Sequence, residues 1–180
     1  TTGANNVAVG KNALLANTTG AQNVAVGKGS LTANTTASNN TAVGNNAMET
    51  NTTGANNTAL GGNALNVNTT GASNVAVGQT ALDANTTASN NTAIGYAALT
   101  ANTTGANNTA VGKLALDANT TGGSNTALGA DALSADTLGS RNVAVGTSAL
   151  EVQNFTSATT SYNVAVGYNA GAAVSTGVQN

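Results

Sequence analysis

The chain has 180 residues and a formal net charge of −2, with 6% charged residues, 2% aromatic residues and no proline, cysteine, tryptophan or histidine. Large side chains supply most of the area buried in a broad globular core, so a core of that kind is excluded. Four cations cannot track a phosphate backbone, the lack of Cys and His removes catalytic triads and most transition-metal sites, and no apolar run reaches the ~20 residues that span a bilayer.

The first element is a pentapeptide, Asn-(Val/Thr)-Ala-(Val/Ile/Leu)-Gly, and it recurs ten times along the chain. Its glycines are Gly10, Gly27, Gly44, Gly61, Gly78, Gly95, Gly112, Gly129, Gly146 and Gly167; the first eight intervals are 17 residues and the ninth is 21. A fixed short period marks a solenoid, each repeat being one coil stacked on its neighbours. The apolar content of 40% and its fixed positions argue against disorder. The fold class expected is all-β: a parallel β-solenoid of about ten 17-residue coils forming one domain over residues 1–180.

Columns are numbered from the motif asparagine, so the first full coil is Asn6 to Gln22. Columns 1 to 4 (Asn6-Val7-Ala8-Val9) predict a short strand. The column 5 glycine predicts a turn with positive φ or a close backbone approach. Columns 8 to 11 (Ala13-Leu14-Leu15-Ala16) predict a second strand, and columns 12 to 15 (Asn17-Thr18-Thr19-Gly20) a second turn. Stacking at about 4.8 Å makes ten coils a rod about 48 Å long.

The expected core is the column 9 series Leu14, Leu31, Met48, Leu65, Leu82, Leu99, Leu116, Leu133 and Leu150. Column 4 (Val9, Val26, Val43, Leu60, Val77, Ile94, Val111, Leu128, Val145, Val166) is expected to face it, with column 2 on the same side at the core's edge. Column 3 then points away. It is alanine in every coil: Ala8, Ala25, Ala42, Ala59, Ala76, Ala93, Ala110, Ala127, Ala144 and Ala165. These alanines read either as an interchain surface or as tolerated exposed residues.

Asparagine holds column 1 throughout: Asn6, Asn23, Asn40, Asn57, Asn74, Asn91, Asn108, Asn125, Asn142 and Asn163. It also holds column 12 from Asn17 to Asn119, before Asp136. Stacked amides suggest hydrogen-bonded ladders or turn caps. The Asn17-Thr18-Thr19 copies match a glycosylation sequon, as an Asn/Thr-rich repeat would by composition alone. The column 10 acids Glu49, Asp83, Asp117 and Glu151 are 34 residues apart, which keeps like charges off adjacent rungs and predicts a solvent-facing ladder. No paired carboxylates, phosphate loop or regular calcium repeat appears, so the chain reads as a non-enzyme with no catalytic, cofactor or metal residues. The four extra residues near 153–161 are expected to bulge as a loop, and neither end reads as a strong cap, so the chain reads as a segment of a longer array.

The stretches Asn5-Asn6-Val7-Ala8-Val9-Gly10, Ser73-Asn74-Val75-Ala76-Val77-Gly78 and Asn90-Asn91-Thr92-Ala93-Ile94-Gly95 resemble the Asn-Ser-Val-Ala-Ile-Gly head repeat of trimeric autotransporter adhesins. Similar arrays occur in phage and bacterial fibre proteins. The resemblance implies a left-handed parallel β-roll, often trimeric, exposed on a cell or virion surface and used for attachment. Three functions are expected in order: a structural segment of an extracellular fibre or adhesin, a filament of end-to-end stacked rods, and an ice-binding solenoid. Adjacent threonines such as Thr18 and Thr19 would face opposite sides of a strand, which weakens a two-row threonine array. The partners expected are further copies of the chain, as a trimer or filament, and a host-surface glycan or matrix ligand. No nucleic acid and no membrane insertion are expected.

Overall fold

The structure is a computed structural model that describes residues 2–180. It is a parallel β-solenoid of 17-residue coils. Each coil contributes one three-residue strand from columns 2 to 4: β1 (Val7–Val9), β2 (Val24–Val26), β3 (Thr41–Val43), β4 (Thr58–Leu60), β5 (Val75–Val77), β6 (Thr92–Ile94), β7 (Thr109–Val111) and β8 (Thr126–Leu128). The series continues in β10 (Val143–Val145) and β12 (Val164–Val166). These form one ten-stranded sheet in chain order. The register is invariant: Ala42 pairs with Ala59, Ala59 with Ala76, and so on along the sheet. Around the insertion, β9 (Gly139–Ser140) and β11 (Thr159–Thr160) add a two-stranded pair, and the main sheet runs on from β10 to β12.

The second strand expected at columns 8 to 11 does not form. That segment is a wide turn whose backbone alternates in sign, with positive φ at column 7 (Asn46, 55°) and column 9 (Met48, 51°). Its main chain is still hydrogen-bonded between coils: Leu31 N–H donates to Ala47 O at 3.1 Å and Ala33 N–H to Glu49 O at 3.0 Å. The turn therefore satisfies its polar groups by stacking, as a strand would.

The column 9 side chains from Leu14 to Leu150 form the core as expected, but the two faces of the strand are reversed. Column 3 faces inward, and Ala25, Ala42, Ala59, Ala76, Ala93, Ala110, Ala127 and Ala144 are fully buried. They pack with the column 8 alanines and the column 9 leucines in one continuous core. Columns 2 and 4 face outward instead, with Leu60 at 40% and Leu128 at 46% exposure. The reason is width. A leucine reaching across from the turn leaves room for only a methyl group on the facing strand, and a tightly packed interior does not accept a larger branched chain there. The column 3 series is thus the inner wall of the coil. Only the terminal members differ: Ala8 is exposed in the first coil and Ala165 is 7% exposed in the last.

The column 9 leucines occupy the left-handed region at φ 50–55°. That conformation costs an L-residue about 1–2 kcal/mol, which burying a leucine side chain (about 2 kcal/mol) offsets. Glycine at column 5 has no such alternative. Gly78 has φ 134°, and a Cβ there would sit 2.3 Å from the Gly95 carbonyl oxygen. Gly78→Ala is expected to destabilise the rod by about 3 kcal/mol. Gly62→Ala, where a Cβ meets nothing within 4 Å, is expected to change stability by less than about 1 kcal/mol. Thermal melts of the two variants check this contrast.

Candidate functional site

Opposite the alanine–leucine core, the coil is lined with amides. Each column 1 asparagine accepts from the backbone of the next coil, and each except Asn142 donates to the column 15 carbonyl of its own coil. Asn40 Nδ2 lies 2.9 Å from Gly54 O, and Asn57 N–H donates to Asn40 Oδ1 at 2.9 Å. The column 12 amides form a second ladder, side chain to side chain: Asn68 Nδ2 donates to Asn51 Oδ1 at 2.7 Å and Asn85 Nδ2 to Asn68 Oδ1 at 2.8 Å. Both ladders converge on one carbonyl, since Asn51 Nδ2 also donates to Gly54 O at 2.9 Å. From Asn23 to Asn119 these side chains are fully buried. The column 12 sequon asparagines from Asn34 onward are therefore inside the folded coil and committed to the ladder, while Asn17 in the first coil is partly exposed.

A third ladder was not read from the sequence. Column 13 threonines donate their hydroxyls to the column 13 carbonyl of the next coil, as in Thr52 Oγ1 to Thr69 O at 2.9 Å and Thr69 Oγ1 to Thr86 O at 3.0 Å. The unbroken column of threonine was the visible signal. Thr18, Thr19 and their copies lie in a bend, so strand alternation does not apply to them.

The amide ladder changes at Asp136, which is fully buried and takes the column 12 place. Its Oδ1 accepts from Gly139 N–H at 2.9 Å, and its Oδ2 accepts from Gln153 Nε2 at 2.8 Å and Asn142 Nδ2 at 3.3 Å. A carboxylate has no N–H to return to the rung before it. Asn119 Oδ1 is accordingly left without a partner, the one such buried side-chain atom among the described residues. Gln153 and the buried Phe155 anchor the start of the insertion, and the next residues, 156–158, are exposed. Asp136→Asn supplies the missing donor and is expected to stabilise the protein by about 1 kcal/mol, read as a higher melting temperature.

The column 10 acids lie half-buried rather than fully in solvent. Asn66 stands between Glu49 and Asp83 and donates to Glu49 Oε2 at 3.3 Å. Near the C-terminal end, Asp117, Asp131 and Glu151 line a shallow hollow of about 380 Å³ with Leu114, Ser134, Ala135 and Val152. Burial raises the carboxyl pKa of Asp83 and of Asp117, and at Asp117 the charge of Asp131 adds to the rise while its backbone hydrogen bonds oppose it. A raised folded-state pKa means that these two groups favour folding fully only below the unfolded value of about 3.9, and the contribution is lost as pH rises through the folded value. The melting temperature of the Asp83→Asn/Asp117→Asn variant is expected to fall less between about pH 4 and pH 6 than that of the parent.

No group of three or more His, Cys, Asp or Glu residues is arranged to hold a metal among the described residues, and no helix there is long and apolar enough to cross a membrane. Comparison with protein-family models, curated proteins and solved structures finds no match to this chain. The surface that stands out is the outward face of the ten-stranded sheet. It carries Val or Thr in column 2 and Val, Leu or Ile in column 4, with no charged residue in either column. The three lysines Lys11, Lys28 and Lys113 flank it in column 6. At its C-terminal end Tyr162 and Tyr168 are exposed, and the Arg141 guanidinium lies 5.6 Å from the Tyr162 ring centroid and bonds its hydroxyl at 2.7 Å.

Proposed function

We propose that this chain is a non-enzymatic structural segment of an extracellular or virion-surface fibre or adhesin, in which the solenoid acts as a rigid rod. The observation that carries the reading is the unbroken stacking of the coils. Strand, turn, amide and hydroxyl groups of one rung each bond their counterparts on the next, so that bending the rod would open several ladders together. Its buried polar groups are used in stacking, which suits a spacer or shaft better than a pocket.

The rods associate side by side in this reading. The column 4 row exposes aliphatic side chains along the whole sheet, including Val43, Leu60, Ile94 and Leu128. A continuous apolar strip of that kind is characteristic of an interaction surface. The partner is a further copy of the chain, which replaces the alanine column with columns 2 and 4 as the interchain surface. Attachment to a host glycan or matrix protein belongs to the same reading.

Sedimentation of the parent is expected to give a defined oligomer, and Ile94→Lys/Leu128→Lys to give a monomer with an unchanged melting temperature. Electron micrographs should show straight, unbranched particles. A parent that is monomeric at high concentration and fails to bind glycan or matrix arrays sinks the adhesin reading.

A further inference from the structure

Several columns are constant in type over the regular coils, and nearly all have a structural reason. Asparagines in columns 1 and 12 build the amide ladders, column 3 alanine fits the narrow core, column 5 glycine meets its neighbour's carbonyl, and column 13 threonine bonds the next coil. Column 14 has no such reason. It is threonine on eight consecutive rungs, from Thr2 and Thr19 at every seventeenth residue to Thr121. Each of these side chains is exposed. Among the described residues, none of their hydroxyls bonds another group of the chain, whereas each column 13 hydroxyl from Thr18 to Thr120 does. Other exposed columns vary freely: column 6 alone holds Lys, Asn, Gly, Gln, Tyr, Ala and Thr.

The surroundings narrow the ligand. Columns 13 to 16 contain no charged and no aromatic residue between Thr18 and Ser140. Anionic polymers need cations and sugar rings favour aromatic platforms, so neither is suited here. A protein partner is anchored by a few bulky residues, and this surface has none. Column 15 is Gly or Ala and column 16 is Ala, Ser or Gly, so nothing taller stands beside the threonines on that side. The row repeats at about 4.8 Å, giving roughly 34 Å over eight rungs. Its β-branched side chains have few rotamers, and the hydroxyl ladder beneath holds the backbone.

We infer that the column 14 threonine row binds the surface of ice. Its matching partner is an uncharged, hydrogen-bonding solid that is itself periodic, and each rung offers that solid one hydroxyl and one methyl. The row lies outside columns 2 and 4, so the inference does not depend on how rods associate.

The test uses the full chain, fluorescently labelled, with slowly grown polycrystalline ice as the probe and thermal hysteresis as the second readout. The parent is expected to be taken up into the ice and to produce hysteresis. Thr70→Tyr/Thr87→Tyr is expected to lose both while melting at the parent temperature, and Gln79→Lys, on column 6, to keep both. Thr70→Ala/Thr87→Ala, which cannot clash, is expected to weaken uptake in the same direction. Exclusion of the parent from ice overturns the inference. So does uptake at the parent's level by both threonine variants, or an alanine variant that melts lower with its uptake intact, because the threonines would then serve the fold.

Discussion

In the regular coils each buried amide bonds a copy of itself one rung away. Asn40 Oδ1 receives the Asn57 backbone, and Asn57 Oδ1 receives the Asn74 backbone in turn. A buried amide with no partner costs far more than one hydrogen bond gains, so the arrangement holds only if every rung has the same height and the same residues at the same places. This requirement explains the 17-residue interval kept over the first eight repeats and why the interior can be half polar. It also explains the consequence at Asp136, where one changed atom leaves Asn119 Oδ1 unpaired a rung away.

The apolar half of the coil solves a different problem with very little material. Two small residues and one leucine per rung make a core only one side chain deep. To aim that leucine inward the backbone takes a left-handed conformation at nine successive column 9 positions. Such strain survives because burial offsets it locally, rung by rung. Outside, the sheet carries the branched residues that the interior has no room for. The same narrowness that fills the core with alanine therefore sets an aliphatic strip on the surface, and the rod-to-rod contact proposed above falls on it, away from the threonine row.

Much of this was legible in the residues. The period, the parallel stacking, the glycine constraint at Gly10 and its copies, and the asparagine columns all follow from repetition. Any residue that recurs at fixed spacing in a solenoid must tolerate its own copy above and below. The faces were not legible. Strand alternation establishes that Ala42 and Val43 point to opposite sides, and hydrophobicity ranks valine as the inner residue. The structure reverses that ranking because the far wall, built by Met48 and the leucines, stands too close. Likewise Ala13 to Ala16 looked like a strand by composition, since nothing in it signalled that Leu14 would accept a positive φ of 52°.

By itself, the amino-acid sequence determined what repeats: the coil length, the rung-on-rung register, the need for glycine at column 5 and for asparagine at columns 1 and 12. These are relations between a residue and its own image, and periodicity exposes them. Only the tertiary structure decided which side of each strand is inside, which threonine hydroxyls are used and which are free, and which buried atom Asp136 leaves without a partner. Those outcomes depend on the distance between two walls of the same coil, which the packing of unlike side chains across the interior sets.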